Sequence, residues 1–155
     1  MTSVTLSQRF RLAFTLCVAV LAFTGLTQMP VAKRYYLADL PGLAWTDNFY
    51  VTSLVHYLAA VIFLGLAGYA AGRYLAAWRA RHALTASGML RAGLYAVLAV
   101  SGLAHVLGNT AWMSLNPGQA EFVSIGHLVA AVLLGLAALL AAVAGRRAWL
   151  RTRSR

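Results

Sequence analysis

A chain of 155 residues that is 61% hydrophobic and only 10% charged, with a mean hydropathy of +0.73, does not read as a soluble domain. Its formal charge of +10 invites nucleic acid as a partner. The basic residues, however, stand in short groups between long apolar runs, and anionic lipid headgroups account for that placement without any nucleic acid.

A helix needs roughly 20 apolar residues to cross a bilayer, and four segments qualify: about 12–30, 49–72, 88–109 and 122–145. The expected fold class is all-α, a single membrane domain over residues 1–155 in which four transmembrane helices form one bundle with short connections. Met1 to Gln8 is polar and no small-residue cleavage site follows the first apolar run, so the first helix is expected to be a retained span and not a removed signal peptide. It follows Arg9 and Arg11 and carries Cys17, the one cysteine, which excludes an internal disulfide and dithiol chemistry. It ends at Thr24-Gly25-Leu26-Thr27-Gln28-Met29-Pro30, where proline suits a helix end.

The connection from Val31 to Asn48 holds Tyr35, Tyr36 and Trp45, rings suited to the headgroup level. Asp39, Pro41-Gly42 and Asp47 supply its turn and cap residues. The second span carries His56 and runs to Arg73, with Tyr74 and Trp78 marking an interface. His82, in the basic loop that follows, reads as solvated. The third span carries Ser101-Gly102-Leu103-Ala104-His105. A connection from Thr110 to Glu121 contains Trp112 and Asn116-Pro117-Gly118, read as a turn. The fourth span carries His127. Arg9, Arg11, Arg73, Arg79, Arg81, Arg91, Arg146, Arg147, Arg151, Arg153 and Arg155 fall on one side of the expected membrane, against Lys33 and Arg34 on the other. The bias of basic residues towards the cytoplasm then predicts a multi-pass protein of the bacterial inner membrane with both termini inside.

Two of these spans repeat one another. Thr52-Ser53-Leu54-Val55-His56 matches Val123-Ser124-Ile125-Gly126-His127 in its serine three residues before the histidine, and Ala-Ala-Val follows each histidine at plus three to plus five. Leu64 to Ala67 and Leu134 to Ala137 are both Leu-Gly-Leu-Ala, and each run closes on Gly-Arg, at Gly72-Arg73 and Gly145-Arg146. The first and third spans repeat too, as Thr24-Gly25-Leu26-Thr27-Gln28 against Ser101-Gly102-Leu103-Ala104-His105. The repeating unit is thus a helix pair, and two pairs with the same direction imply parallel repeats about an axis along the membrane normal.

An ionisable side chain inside a membrane span is a functional-site candidate. His56 and His127 each lie about seven residues, or ~10 Å, into their helices, and His105 lies near the outer end of its own. Two equivalent imidazoles on helices suit the two axial positions of a b-type haem. Gly65, Gly68, Gly102, Gly126 and Gly135 would leave room for the ring, although small residues also serve close helix packing. The expected iron ligands are His56 and His127. His105 is a reserve ligand, or a contact to propionate or quinone, and Gln28, Ser53 and Ser124 are supporting hydrogen-bonding groups. With no CxxCH sequence the haem would be held without covalent attachment. The competing chemistries are a histidine-rich copper or zinc site and a haem-free scaffold or assembly subunit whose histidines only pack.

Arg9-Phe10-Arg11 before the first span, Thr24-Gly25-Leu26 at its end, His56 and His127 together resemble the membrane cytochrome b subunits of respiratory formate dehydrogenases, nickel-iron hydrogenases and thiosulfate reductases. The resemblance extends over nearly the whole chain. It implies a four-helix core that carries electrons between a redox subunit on the outer side and membrane quinone, through two haems b. Leu12, Ala13 and Phe14 stand where the family has a histidine near the start of the first helix, and Ala141 and Ala142 where it has a second one in the last. The resemblance therefore implies one haem b, on the outer side. The expected function is that of an electron-transferring anchor in a respiratory or photosynthetic complex. Its partners would be membrane lipids, periplasmic or membrane redox subunits and quinone, and the chain alone would not be an enzyme.

Overall fold

A computed structural model describes residues 6–111, 113–146 and 148–152, without the side chain of Lys33. Most of the polar leader, Trp112, Arg147, Arg153 and Arg155 lie outside the described residues. The chain is all-α in its main elements: α1 (Gln8–Thr27), a short α2 (Pro30–Arg34), α3 (Phe49–Arg73), α4 (Ala86–Gly108) and α5 (Pro117–Val143). All but α2 are long and apolar enough to cross a membrane, which makes this a multi-pass membrane protein. Two compact units divide the chain, one up to Trp78 and one from Arg79 onward. In the first, α1 packs on α3; in the second, α4 packs on α5.

Caps set the helix starts: α3 begins at Phe49 as hydropathy predicts, whereas α1, α4 and α5 begin before their expected positions. Ser7 accepts from the amide of Phe10 at 3.2 Å, so α1 begins before its apolar run and takes Arg9 and Arg11 into its first turn. Asn48 accepts from the amides of Tyr50 and Val51 at 3.0 and 3.3 Å and starts α3. Asn116-Pro117-Gly118 is not a turn between elements but the start of α5. The Asn116 side chain accepts from the Gln119 amide at 2.9 Å, the Gln119 side chain accepts from the Asn116 amide at 3.1 Å, and Pro117 takes the first helical position. That reciprocal cap starts α5 five residues before the apolar run at Phe122. Pro30 likewise opens α2 instead of only ending α1. Past Arg73 the backbone widens into a π-helical turn over Tyr74–Trp78, with the Arg73 guanidinium 5.6 Å from the Trp78 ring.

The basic segment around His82 is not a solvated loop. His82–Leu84 forms β1, paired antiparallel with β4 (Leu150–Thr152), with His82 opposite Thr152. The Nδ1 of His82 is buried, without a hydrogen-bond partner among the described residues. Thr85 ties the same strand to the start of α4: its hydroxyl accepts from the Gly88 amide at 2.9 Å and donates to the Ala148 carbonyl at 2.8 Å. A Cβ on Gly88 would stand 2.5 Å from the Trp149 carbonyl oxygen, so only glycine lets the two backbones approach this closely. The Trp149 ring stacks on Tyr95 and takes the Arg91 guanidinium at 4.2 Å. A second, smaller strand pair, β2 (Asn109–Thr110) with β3 (Met113–Ser114), follows α4.

The burial pattern is that of a lipid-facing protein. Large apolar side chains along the helices are exposed, Val143 at 80% and Val61 at 69% among them, which hydrocarbon tolerates and water does not. Small and polar groups line the inside: Thr24 and Thr52 are the most enclosed side chains. Ala59 and Phe63 on α3 are buried, and so are Ala130 and Leu134 on α5, at the same offsets from His56 and His127. The face of each helix that carries the histidine is thus the one turned inward.

Candidate functional site

Each unit contains a hydroxyl–imidazole pair made through Nδ1, and these two pairs match in geometry. In the first, Oγ1 of Thr24 on α1 is 2.8 Å from Nδ1 of His56 on α3. In the second, Oγ of Ser101 on α4 is 2.8 Å from Nδ1 of His127 on α5. Both hydroxyls also reach back to their own helix. Thr24 donates to the Val20 carbonyl at 2.7 Å, with Leu21 at 3.3 Å; Ser101 donates to the Val97 carbonyl at 2.7 Å, with Leu98 at 3.3 Å. The agreement holds although 32 residues separate the partners in one unit and 26 in the other.

Counting protons sets the direction of these bonds. A hydroxyl has one hydrogen, and at 2.7 Å from a helix carbonyl that hydrogen is committed there. The same oxygen can then only accept from the imidazole, which places the imidazole proton on Nδ1. In a neutral ring the lone pair consequently sits on Nε2. This is the tautomer in which histidine binds a metal through Nε2 while its other nitrogen is held by a hydrogen bond.

The glycine after each hydroxyl completes the cradle. A Cβ on Gly25 would lie 3.5 Å from Cε1 and 4.0 Å from Nδ1 of His56, and one on Gly102 would meet His127 at the same two distances. Each imidazole therefore lies flush against a glycine backbone. Gly65, Gly68, Gly126 and Gly135 are different: a Cβ there would meet nothing within 4 Å. Open space, not close helix contact, adjoins those four.

The supporting residues expected from the sequence come together, but not on the histidines expected. Ser53 donates to Gln28 Oε1 at 3.4 Å, and Gln28 donates to the Thr24 carbonyl at 3.1 Å. Ser124 donates to the Ala120 carbonyl at 2.8 Å and meets His105 Nε2 at 3.3 Å. Each serine thus holds the residue at the Gln28 or His105 position, while the hydroxyls on His56 and His127 come from the neighbouring helix. Thr24 and Ser101 went unassigned because the hydroxyl-Gly-Leu motif served only as a mark of duplication; read as the start of a cradle, it would have found them. Beside the imidazole the units differ. The His105 ring stands edge-on to the His127 ring, centroids 6.3 Å apart at 82°, where the first unit has the carboxamide of Gln28.

Among the described residues no three His, Cys, Asp or Glu side chains group closely enough to hold a metal ion. Cys17 is buried, its thiol donating to the Ala59 carbonyl at 3.1 Å. No protein-family model, curated protein or solved structure matches the chain.

Proposed function

We propose that the chain is a haem b-binding anchor subunit of the bacterial inner membrane, which passes electrons between a periplasmic redox partner and membrane quinone. The observation that carries this reading is the duplicated hydroxyl–imidazole pair, in which both histidines keep the tautomer suited to iron ligation. His56 and His127 would hold the iron, each with its ring against a glycine, Gly25 or Gly102. The haem, when bound, supplies one-electron chemistry. The chain's residues would hold the iron and orient the imidazoles, with helix and lipid of low dielectric around them. The basic residues near Arg9, Arg79 and Arg151 face the cytoplasm by their excess over Lys33 and Arg34, which makes the two helix pairs parallel repeats and puts the histidines in the outer half of the membrane. Likeness to the cytochrome b subunits of formate dehydrogenases and related complexes supports the quinone and the redox partner.

Two axial histidines make one haem per chain. Full-length protein purified in detergent should show a reduced b-type spectrum and a pyridine haemochrome ratio near one haem per chain. His56→Ala and His127→Ala should each abolish the low-spin signal. A colourless wild-type protein would overturn the reading. The histidines would then be packing groups of a haem-free scaffold, whose interhelical hydrogen bonds stabilise by only about 0.6 kcal/mol on average.

A further inference from the structure

We propose that Thr24 and Ser101 are a matched pair of positioning residues, which fix the Nδ1–H tautomer of His56 and His127 and thereby lower the reduction potential of the bound haem. The potential half of this inference rests on the haem reading above; the tautomer half rests on the hydrogen bonds alone.

Each hydroxyl stands between two helices with its own proton directed away from the imidazole, onto Val20 in one unit and Val97 in the other. The oxygen is left as an acceptor for Nδ1–H at 2.8 Å in both. Helix carbonyl, hydroxyl and imidazole form a chain in which each bond polarises the next. The Nδ1–H bond is therefore stronger than one to an isolated hydroxyl, and it draws the proton outward from the ring. Electron density rises at Nε2, the imidazole becomes a better donor, and a better donor favours ferric over ferrous iron. A hydroxyl that merely tied two helices together could face either way. This one faces the same way in both units, at matching distances to both partners.

The two side chains differ where chemistry permits it. Threonine and serine share the hydroxyl and differ by a methyl, so the common feature is the O–H group. Thr27 provides the contrast: it is buried on the same helix, and its hydroxyl donates to the Thr24 carbonyl at 2.9 Å, not to an imidazole.

The test uses the full-length chain with its haem. Thr24→Val and Ser101→Ala remove one hydroxyl each, Thr24→Ser and Ser101→Thr keep it, and Thr27→Val removes a hydroxyl that touches no histidine. Redox titration should show the ferrous-to-ferric ratio at fixed ambient potential rising about three- to tenfold for each loss, where tenfold corresponds to about 59 mV for one electron. The double variant should exceed either single one, and the hydroxyl-keeping variants and Thr27→Val should match the wild type. In parallel, nitrogen-15 spectra of histidine-labelled, chemically reduced protein should show Nδ1 protonated in the wild type and a weakened Nδ1–H hydrogen bond in the two loss variants. Haem present at full occupancy with an unmoved potential overturns the inference and leaves the haem reading intact. A wild type without haem overturns the haem reading and the potential claim with it. The nitrogen spectra are read either way, and a proton on Nε2 in the wild type overturns the tautomer.

Discussion

Thr24 is almost wholly enclosed, yet its hydrogen goes to the Val20 carbonyl and its oxygen meets the His56 imidazole. That is why a polar side chain can sit there without the desolvation penalty of a buried unsatisfied group. His105 has a different standing. Its contact to a hydroxyl is made through Nε2, 3.3 Å from Ser124, where His56 and His127 use Nδ1 at 2.8 Å. The nitrogen that meets a hydroxyl is thus the opposite one from that of His127, and it is the one that the proposed ligands would turn to iron. His105→Ala is expected to keep the low-spin haem signal and to change the midpoint potential, since it removes a polar ring standing edge-on to His127. Optical and paramagnetic-resonance spectra of the three histidine variants check this. Loss of haem in His105→Ala, with retention in either of the others, would move one axial position to α4.

The contact between the Trp149 segment and the head of α4 is built from backbone, not from complementary side chains alone. Thr85, Gly88 and Arg91 lie on one side, and Ala148 to Thr152 on the other. The close approach at Gly88 leaves no space for a methyl group, and the obstructing atom is a carbonyl that cannot rotate away. Gly88→Ala should therefore destabilise this contact by about 1–3 kcal/mol, the usual range for overpacking. In detergent, trypsin should cut at Arg146 or Arg151 severalfold faster in the variant while the four long helices remain intact. Cleavage at the wild-type rate would show that the segment can yield at no cost. The cap of α5 is an element-scale feature of another kind. Asn116→Ala removes half of a reciprocal cap and should cost about 1 kcal/mol, read as a lower melting temperature with unchanged helix content.

For the molecule as a whole, the charge distribution makes the orientation testable. A reporter enzyme active only in the periplasm, fused after Arg155, should be silent, and one fused within the Val31 to Asn48 connection should be active. The reverse pattern would put the histidine level on the cytoplasmic side and transfer the proposed redox partner with it. Both units contribute to this expectation, since exposed arginines occur at Arg73 in the first and at Arg79, Arg81, Arg146 and Arg151 in the second.

The four spans, the duplication of the helix pair and the three histidines within them were legible in the sequence, because hydropathy over about 20 residues and internal repetition are local properties. The starts of α1 and α5 were less so, since a cap at Ser7 or Asn116 outweighs the point where apolar residues begin. Only the tertiary structure decided which hydroxyl meets which imidazole. Ser53 and Ser124 were the nearer choices along the chain, but a residue three positions away on one helix shares a face with its neighbour without having to touch it. Thr24 and Ser101 arrive from the adjacent helix, where packing alone sets the distance. The pairing of His82–Leu84 with Leu150–Thr152 escaped for the same reason: a strand of three residues has no periodicity to read, and its partner is supplied by the far end of the chain.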